Sequence, residues 1–228
     1  MRHNYPFLTI MLLTSTLGYA QQQSKVRAAL DVGTGFSRTQ GVPSVAYSEE
    51  VSMHRAPWLH LGLGLRAWGF YGGEVTLLSA RSSTPKDTLY YRRQSAQGLS
   101  LMAGASLRLG PIDLGLHTDL VGVSWGRKRD AFYQKSTPTP GEGAAYYQGL
   151  VPSRPVMLST LPLAWPGSSG QSEIYARLWV SRAVGVKVAY LYGRQAYRTK
   201  VPLDNWQRNF STTYALPYLA VSFALSDR

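Results

Sequence analysis

The chain contains no cysteine among its 228 residues. That excludes disulfides, thiolate metal ligands and the lipidated cysteine of a lipoprotein, so a fold in an oxidising compartment has to stand without staples. Acidic residues are scarce, with 12 Asp and Glu against 24 Lys and Arg and a formal net charge of +12. Long hydrophobic runs are missing too. Beyond the first 20 residues no stretch of 18 apolar residues occurs, and the mean hydropathy is -0.16. The chain therefore offers no transmembrane helix and is not a polytopic helical membrane protein. No segment of useful length carries apolar residues at helical spacing, and there are no internal repeats. Nor is there an HExxH zinc motif, a nucleophile elbow or a phosphate-cradling glycine loop. No metal site and no cofactor are expected.

The N-terminus reads as a secretion signal. Arg2 and His3 form a short basic start, Phe7 to Thr14 an apolar core too short to span a bilayer, and Gly18-Tyr19-Ala20 a small-x-small cleavage site. Residues 1–20 are expected to be removed, leaving a single domain over 21–228 that begins at Gln21. A basic balance can serve nucleic acid, a membrane surface or an anionic glycolipid. Export makes nucleic acid an unsuitable partner and leaves the other two.

What the mature chain does have is period-two alternation. The stretch HLGLGLRAWGFY (60–71) puts leucine at every second position and glycine in two of the gaps. Eight strands can be drawn, at about 27–37, 44–52, 58–71, 97–109, 112–126, 173–181, 184–197 and 214–226. Short and long connections alternate. Met53–Pro57, Gly110-Pro111 and Ser181–Ala183 are tight turns, Arg38–Pro43 is a shorter outer loop, and 72–96, 127–172 and 198–212 are long loops. The Pro-rich Thr137–Gly141 stretch is a loop and not a domain linker, because strands follow it. This predicts an all-β fold: an eight-stranded antiparallel up-and-down transmembrane β-barrel with short periplasmic turns and long extracellular loops.

The face opposite the apolar one mixes glycine with charges of both signs. It holds Arg27, Asp31, His60, Arg66, Arg108, Asp113, His117, Asp119, Glu173, Arg177 and Lys187, with Gly33, Gly35, Gly62, Gly64, Gly104 and Gly115 between them. An eight-stranded barrel is just wide enough for side chains to fill, so glycine beside arginine is a packing solution. An Arg or Lys facing lipid at mid-bilayer costs about 2–4 kcal/mol. The charges are therefore expected inside, as a barrel-interior polar network, with the leucines facing lipid. The rival fold, a soluble ligand-binding barrel with its apolar face inward, would carry Lys, Glu and Thr on its other face where this chain carries glycine. The fifth strand breaks phase: Ile112, Leu114 and Leu116 alternate on even numbers, Val121, Val123 and Trp125 on odd ones. A bulge near Asp119–Leu120 would reset it. Trp58, Phe70, Tyr71, Trp125, Tyr190 and Tyr192 cluster near strand ends as an aromatic girdle for the membrane–water interface.

The signal ending in YAQQQ, the stretch LGLHTDLVGVSWG (114–126) and the last strand YLAVSFALSDR (218–228) resemble the small outer-membrane β-barrel proteins common in Bacteroidota. The resemblance covers most of the mature chain and implies an eight-stranded barrel in the outer membrane, without a defined activity. Recognition by the barrel-insertion machinery would fall to Phe223, since the chain ends in Ser-Asp-Arg and not in an aromatic residue.

His117 and Asp119 share a strand face, and Ser100 or Ser106 on the neighbouring strand could complete a hydrolase triad. At mid-barrel an interior network is the plainer reading, and no catalytic residues are assigned. The basic excess falls in the outer loops, at Arg81, Lys86, Arg92, Arg93, Arg127, Lys128, Arg129, Lys135, Arg194, Arg198, Lys200 and Arg208. There it could meet phosphates or carboxylates of lipopolysaccharide. The sequence-level expectation is a non-enzymatic outer-membrane barrel with a filled polar interior, presenting basic, aromatic loops at the cell surface. Two alternatives are a small pore or hydrophobic-ligand channel, and a lipid A-modifying barrel enzyme. No surface ligand is named by the sequence.

Overall fold

A computed structural model describes residues 26–79, 87–135, 144–160, 167–203 and 206–227. The signal segment, Arg81, Lys86 and the Thr137–Gly141 stretch lie outside the described residues. Eleven strands form one continuous antiparallel sheet: β1 (Val26–Phe36), β2 (Gln40–Met53), β3 (Ala56–Ser79), β4 (Asp87–Leu109), β5 (Ile112–Trp125), β6 (Arg129–Lys135), β7 (Leu150–Pro155), β8 (Leu158–Thr160), β9 (Gly170–Trp179), β10 (Val184–Leu203) and β11 (Gln207–Asp227). Among the described residues the only helix is a single 3-10 turn, Ala144–Tyr146.

Two closed rings emerge from the pairings. The lower one has eight strands in the order β1-β2-β3-β4-β5-β9-β10-β11 and closes where β11 returns to β1, with Val32 opposite Val221. These are the eight segments that alternation marks out. Their near connections are tight: Met53 pairs with Ala56, Leu109 pairs with Ile112, and Gly110 takes the left-handed conformation (φ 66°) that the turn needs. The bulge on the fifth strand is present. Register shifts between Leu101 and Met102, so that Asp119 and Gly122 both point inward with Leu120 absorbing the extra residue.

The far side corrects the expectation of long loops. Two of the three, 72–96 and 198–212, are mostly strand: β3 runs on to Ser79 and β4 starts at Asp87, while β10 runs to Leu203 and β11 starts at Gln207. The third, 127–172, contains β6, β7 and β8. Arg38–Pro43 is shortened to a turn between Phe36 and Gln40. The extended strands β3, β4, β10 and β11 join β6 and β7 in a second ring of six, ordered β3-β4-β6-β7-β10-β11. It closes where Phe210 pairs with Ser79 and Ser211 with Leu78. On the way up, β1 and β2 drop out at their turn, and β5 and β9 give way to β6 and β7.

A phase change hides the continuation of β3 and β4. In the lower ring Trp68, Phe70 and Gly72 point inward, whereas above it the inward residues are Val75 and Leu77. Across on β4 the inward set steps from Gln94 to Tyr91 and Leu89. Glu74, at the step, sits at φ 53°. Simple alternation therefore fails at the point where the two rings meet.

Candidate functional site

The interior of the lower ring is charged. Arg66, Arg177 and Lys187 stand there with Asp31, Glu50, Asp113, Asp119 and Glu173, and none of the eight is more than 7% exposed. They form one connected network. Arg177 Nη2 donates to both oxygens of Asp31, at 3.1 and 2.9 Å, and its Nε to Ser222 at 3.0 Å. Lys187 Nζ bridges Asp31 at 2.9 Å and Glu173 at 2.6 Å. Arg66 reaches Glu173 at 3.1 Å and Asp119 at 3.2 Å, and the second Asp119 oxygen accepts the Gln171 backbone N–H at 3.0 Å. His117 lies between two carboxylates, with Nδ1 2.9 Å from Glu173 and Nε2 3.7 Å from Glu50. Glu50 accepts from Ser106 at 2.8 Å, and Asp113 from the Trp179 indole at 2.6 Å. The Lys187 ammonium also rests over the Tyr175 ring, 4.3 Å from its centroid. Charges removed from water need partners on this scale, because each unpaired ion costs several kcal/mol.

Glycine makes the room. Trp68 lies opposite Gly98, His117 opposite Gly104, Tyr175 opposite Gly115 and Tyr214 opposite Gly193, each a direct cross-strand pair. In all four, a Cβ on the glycine would collide with the ring of its partner. On the leucine-rich strand itself, Gly62 and Gly64 leave room instead for Glu50 and Met102.

Most expected interior residues lie in this network or its walls. Asp31, Arg66, Asp113, His117, Asp119, Glu173, Arg177 and Lys187 are members, and His60 is buried opposite Ser106. Arg27 and Arg108 are corrections. Both are only half-buried, at the tight-turn end, where strands run out into solvent; Arg108 Nε donates to the Gly110 carbonyl at 3.2 Å. They line a cavity of about 450 Å³ that enters the ring from that end, with Glu50 and Asp113 at its inner wall. Phe70 is also corrected. It does not join a girdle but is fully buried, its ring 5.0 Å from that of Tyr214, because it keeps the inward phase of Arg66 and Trp68. Trp58, Tyr71, Trp125 and Tyr190 are exposed and Tyr192 is half-buried. Glu50 escaped notice beside Glu49. The signal was there: Glu50 continues the inward phase of Ser44, Ala46 and Ser48, while Glu49 faces outward and accepts a hydrogen bond from Tyr47.

No His117–Asp119 dyad forms. Asp119 is engaged by Arg66 and the Gln171 amide, and both ring nitrogens of His117 face other carboxylates. Ser106 serves Glu50, and Ser100 accepts from the Trp68 indole at 3.1 Å.

The upper ring is filled in the opposite way. Every one of its six strands sends apolar or aromatic side chains inward: Val75 and Leu77, Leu89 and Tyr91, Ala131 and Tyr133, Val151, Tyr197 and Leu203, and Phe210. Tyr91 and Tyr197 stack at 5.1 Å and spend their hydroxyls on Ser153 (2.7 Å) and the Ser95 carbonyl (2.8 Å). Burial pushes the Tyr197 hydroxyl up to about 12. The outward side chains here include the basic Arg92, Arg93, Arg154, Arg198 and Lys200, with Glu74, Thr76 and Asp130 and the exposed Leu78 and Leu150 among them.

No family model matches the chain, and no curated protein matches it. Among solved structures, the crystal structure of Neisserial surface protein A (NspA) is similar at a TM-score of 0.34 and 10% identity, over 88% of this chain and 96% of that one.

Proposed function

We propose that the chain is an outer-membrane β-barrel protein, of the kind small Bacteroidota barrels represent, whose lower ring spans the bilayer and carries the upper ring at the cell surface. The observation that supports this most is the reversal of polarity between the rings. Outside the lower ring, Leu61, Leu63 and Leu65, Leu99 and Leu101, Leu114 and Leu116, Ile174, Val186 and Val188, and Leu219 and Val221 are all exposed while charge fills the centre. A ring in water would bury that set and wet the charges, since monomers rarely expose so large an apolar surface. Phe36, Tyr71, Trp125 and Tyr190 are exposed where the apolar band ends, the position in which amphipathic rings meet headgroups. Beyond them the pattern becomes that of a water-soluble protein. A membrane crossing takes about 9–11 strand residues; β3 has 24 and β10 has 20, so roughly half of each is left to stand outside.

Export by residues 1–20 and insertion by the barrel-assembly machinery belong to this reading, as does a structural or surface-binding role without catalysis. The paired interior and the apolar upper core favour a closed barrel over a pore. Folded protein in the membrane fraction should change gel mobility on heating, and mobility indifferent to heat would overturn the barrel. In planar bilayers the protein should carry no steady current; a sustained unitary conductance would overturn the closed interior.

A further inference from the structure

The upper ring carries a cleft of about 390 Å³ on its β6-β7-β10-β11 side, lined by Lys128, Arg154, Arg198, Lys200 and Arg208 with Ser153 and Thr199. Five cations converge there, and among the described residues no carboxylate makes an ion pair with any of them. In the lower ring, by contrast, Arg66, Arg177 and Lys187 are each held by two carboxylates. The placement is also unfavourable on its own terms. Arg154 and Arg198 are direct cross-strand partners, and Lys128 precedes Arg129, whose partner is Ser153, which sets Lys128 beside Arg154. Like charges directly opposite in a sheet repel. The row therefore crosses three strands at a spacing of about 4.8 Å per strand, an array that one monovalent anion cannot neutralise. Arginine forks suit phosphate oxygens in particular, since two parallel N–H groups match two oxygens.

We propose that this cleft is a binding site for a polyol or sugar that carries several phosphate groups. On the membrane reading above, on which only the source of the ligand depends, Arg198 stands eight residues beyond Tyr190 along β10, up to about 26 Å from the interface. The phosphate of an ordinary lipid headgroup does not extend that far. The phosphates must come from the sugar chain of a surface glycolipid or from a soluble polyanion.

The test uses the full-length protein in detergent with myo-inositol hexakisphosphate as probe, measured by titration calorimetry. Hexakisphosphate should bind at least tenfold more tightly than inorganic phosphate. The double substitution Arg154→Gln/Arg198→Gln should weaken it at least tenfold, and Arg92→Gln/Arg93→Gln, which removes equal charge from another face of the same ring, less than threefold. Heat-modifiable mobility verifies that each variant is folded. Equal losses in both variants, or no preference for hexakisphosphate over phosphate, would overturn the site without touching the barrel. Organic phosphate retained by wild-type protein from outer membranes, and lost in the Arg154/Arg198 variant, assigns the ligand to a glycolipid of the same membrane. Tight hexakisphosphate binding with no retained phosphate assigns it to a soluble polyanion.

Discussion

The two rings share four strands and follow opposite rules. In the lower ring leucine, valine and isoleucine face out, and the centre holds ion pairs beside an aromatic and apolar cluster that includes Trp68, Phe70, Leu191 and Tyr214; in the upper ring valine, leucine and tyrosine fill the centre and arginines face out. Neither arrangement follows from strand propensity, because β3, β4, β10 and β11 belong to both. On the proposed membrane reading, what changes is the surrounding medium: each section of a strand turns its apolar face toward whatever excludes water, lipid below and its own core above. The reversal is made by chemistry on β10, whose inward phase runs unbroken, and on β11 from Phe210 onward, and by a three-residue step on β3 and β4.

The contrast can be broken at the centre of either ring. Glu173→Ala removes the carboxylate that Arg66, His117 and Lys187 share. Leaving buried charges unpaired should cost about 3–5 kcal/mol, read as a lower urea midpoint for the folded band on gels. In the upper ring, Leu77→Ala opens a void in an apolar core and should cost about 2–5 kcal/mol. Its signature is faster proteolysis of the upper ring with the folded band of the lower ring retained. Loss of both rings together would show that they do not fold as separable units.

The outward faces sharpen the comparison. Leu63→Arg in the apolar band should cost about 2–4 kcal/mol in bilayers, whereas Thr76→Arg, two turns of the pleat beyond the band on the same strand, should change stability by less than about 0.5 kcal/mol. Equal and small effects would remove the lower ring from the membrane. The smallest effect concerns pH. Because the Tyr197 hydroxyl is raised from its ordinary 10.0 to about 12 in the folded protein, the fold favours the protonated form. Its contribution is complete below pH 10 and is lost as pH rises from 10 toward 12. Absorbance titration of tyrosinate should show one late-titrating group fewer in Tyr197→Phe than in the unsubstituted protein.

The lower ring was legible because its rule is uniform. Period-two alternation located all eight strands, the turns at Gly110 and Ser181, and the bulge beside Asp119. Glycine on the charged face signalled close packing, and cross-strand pairs such as Gly104 with His117 are its structural expression. The upper ring was not legible, for two physical reasons. The phase of β3 and β4 shifts at Glu74, which breaks the alternation where it would have continued. Above that step the pattern polar-out, apolar-in is shared by surface loops with scattered aromatics, so Tyr133 and Phe210 looked like loop residues. Phe70 was misplaced by the same boundary: an aromatic near the end of an expected strand resembles a girdle residue until the strand is known to continue. Glu50 was obscured by its neighbour, since adjacent acids occupy opposite faces and only one of them draws attention.

Four unbroken strands connecting the rings have a mechanical consequence. β3, β4, β10 and β11 each run from the lower ring to the tip of the upper ring as one strand. A tether attached there and pulled along the strands loads neighbouring ladder bonds in shear, many at once, instead of peeling them singly. On the membrane reading, a load borne at that tip would meet a stiff post and not a leash.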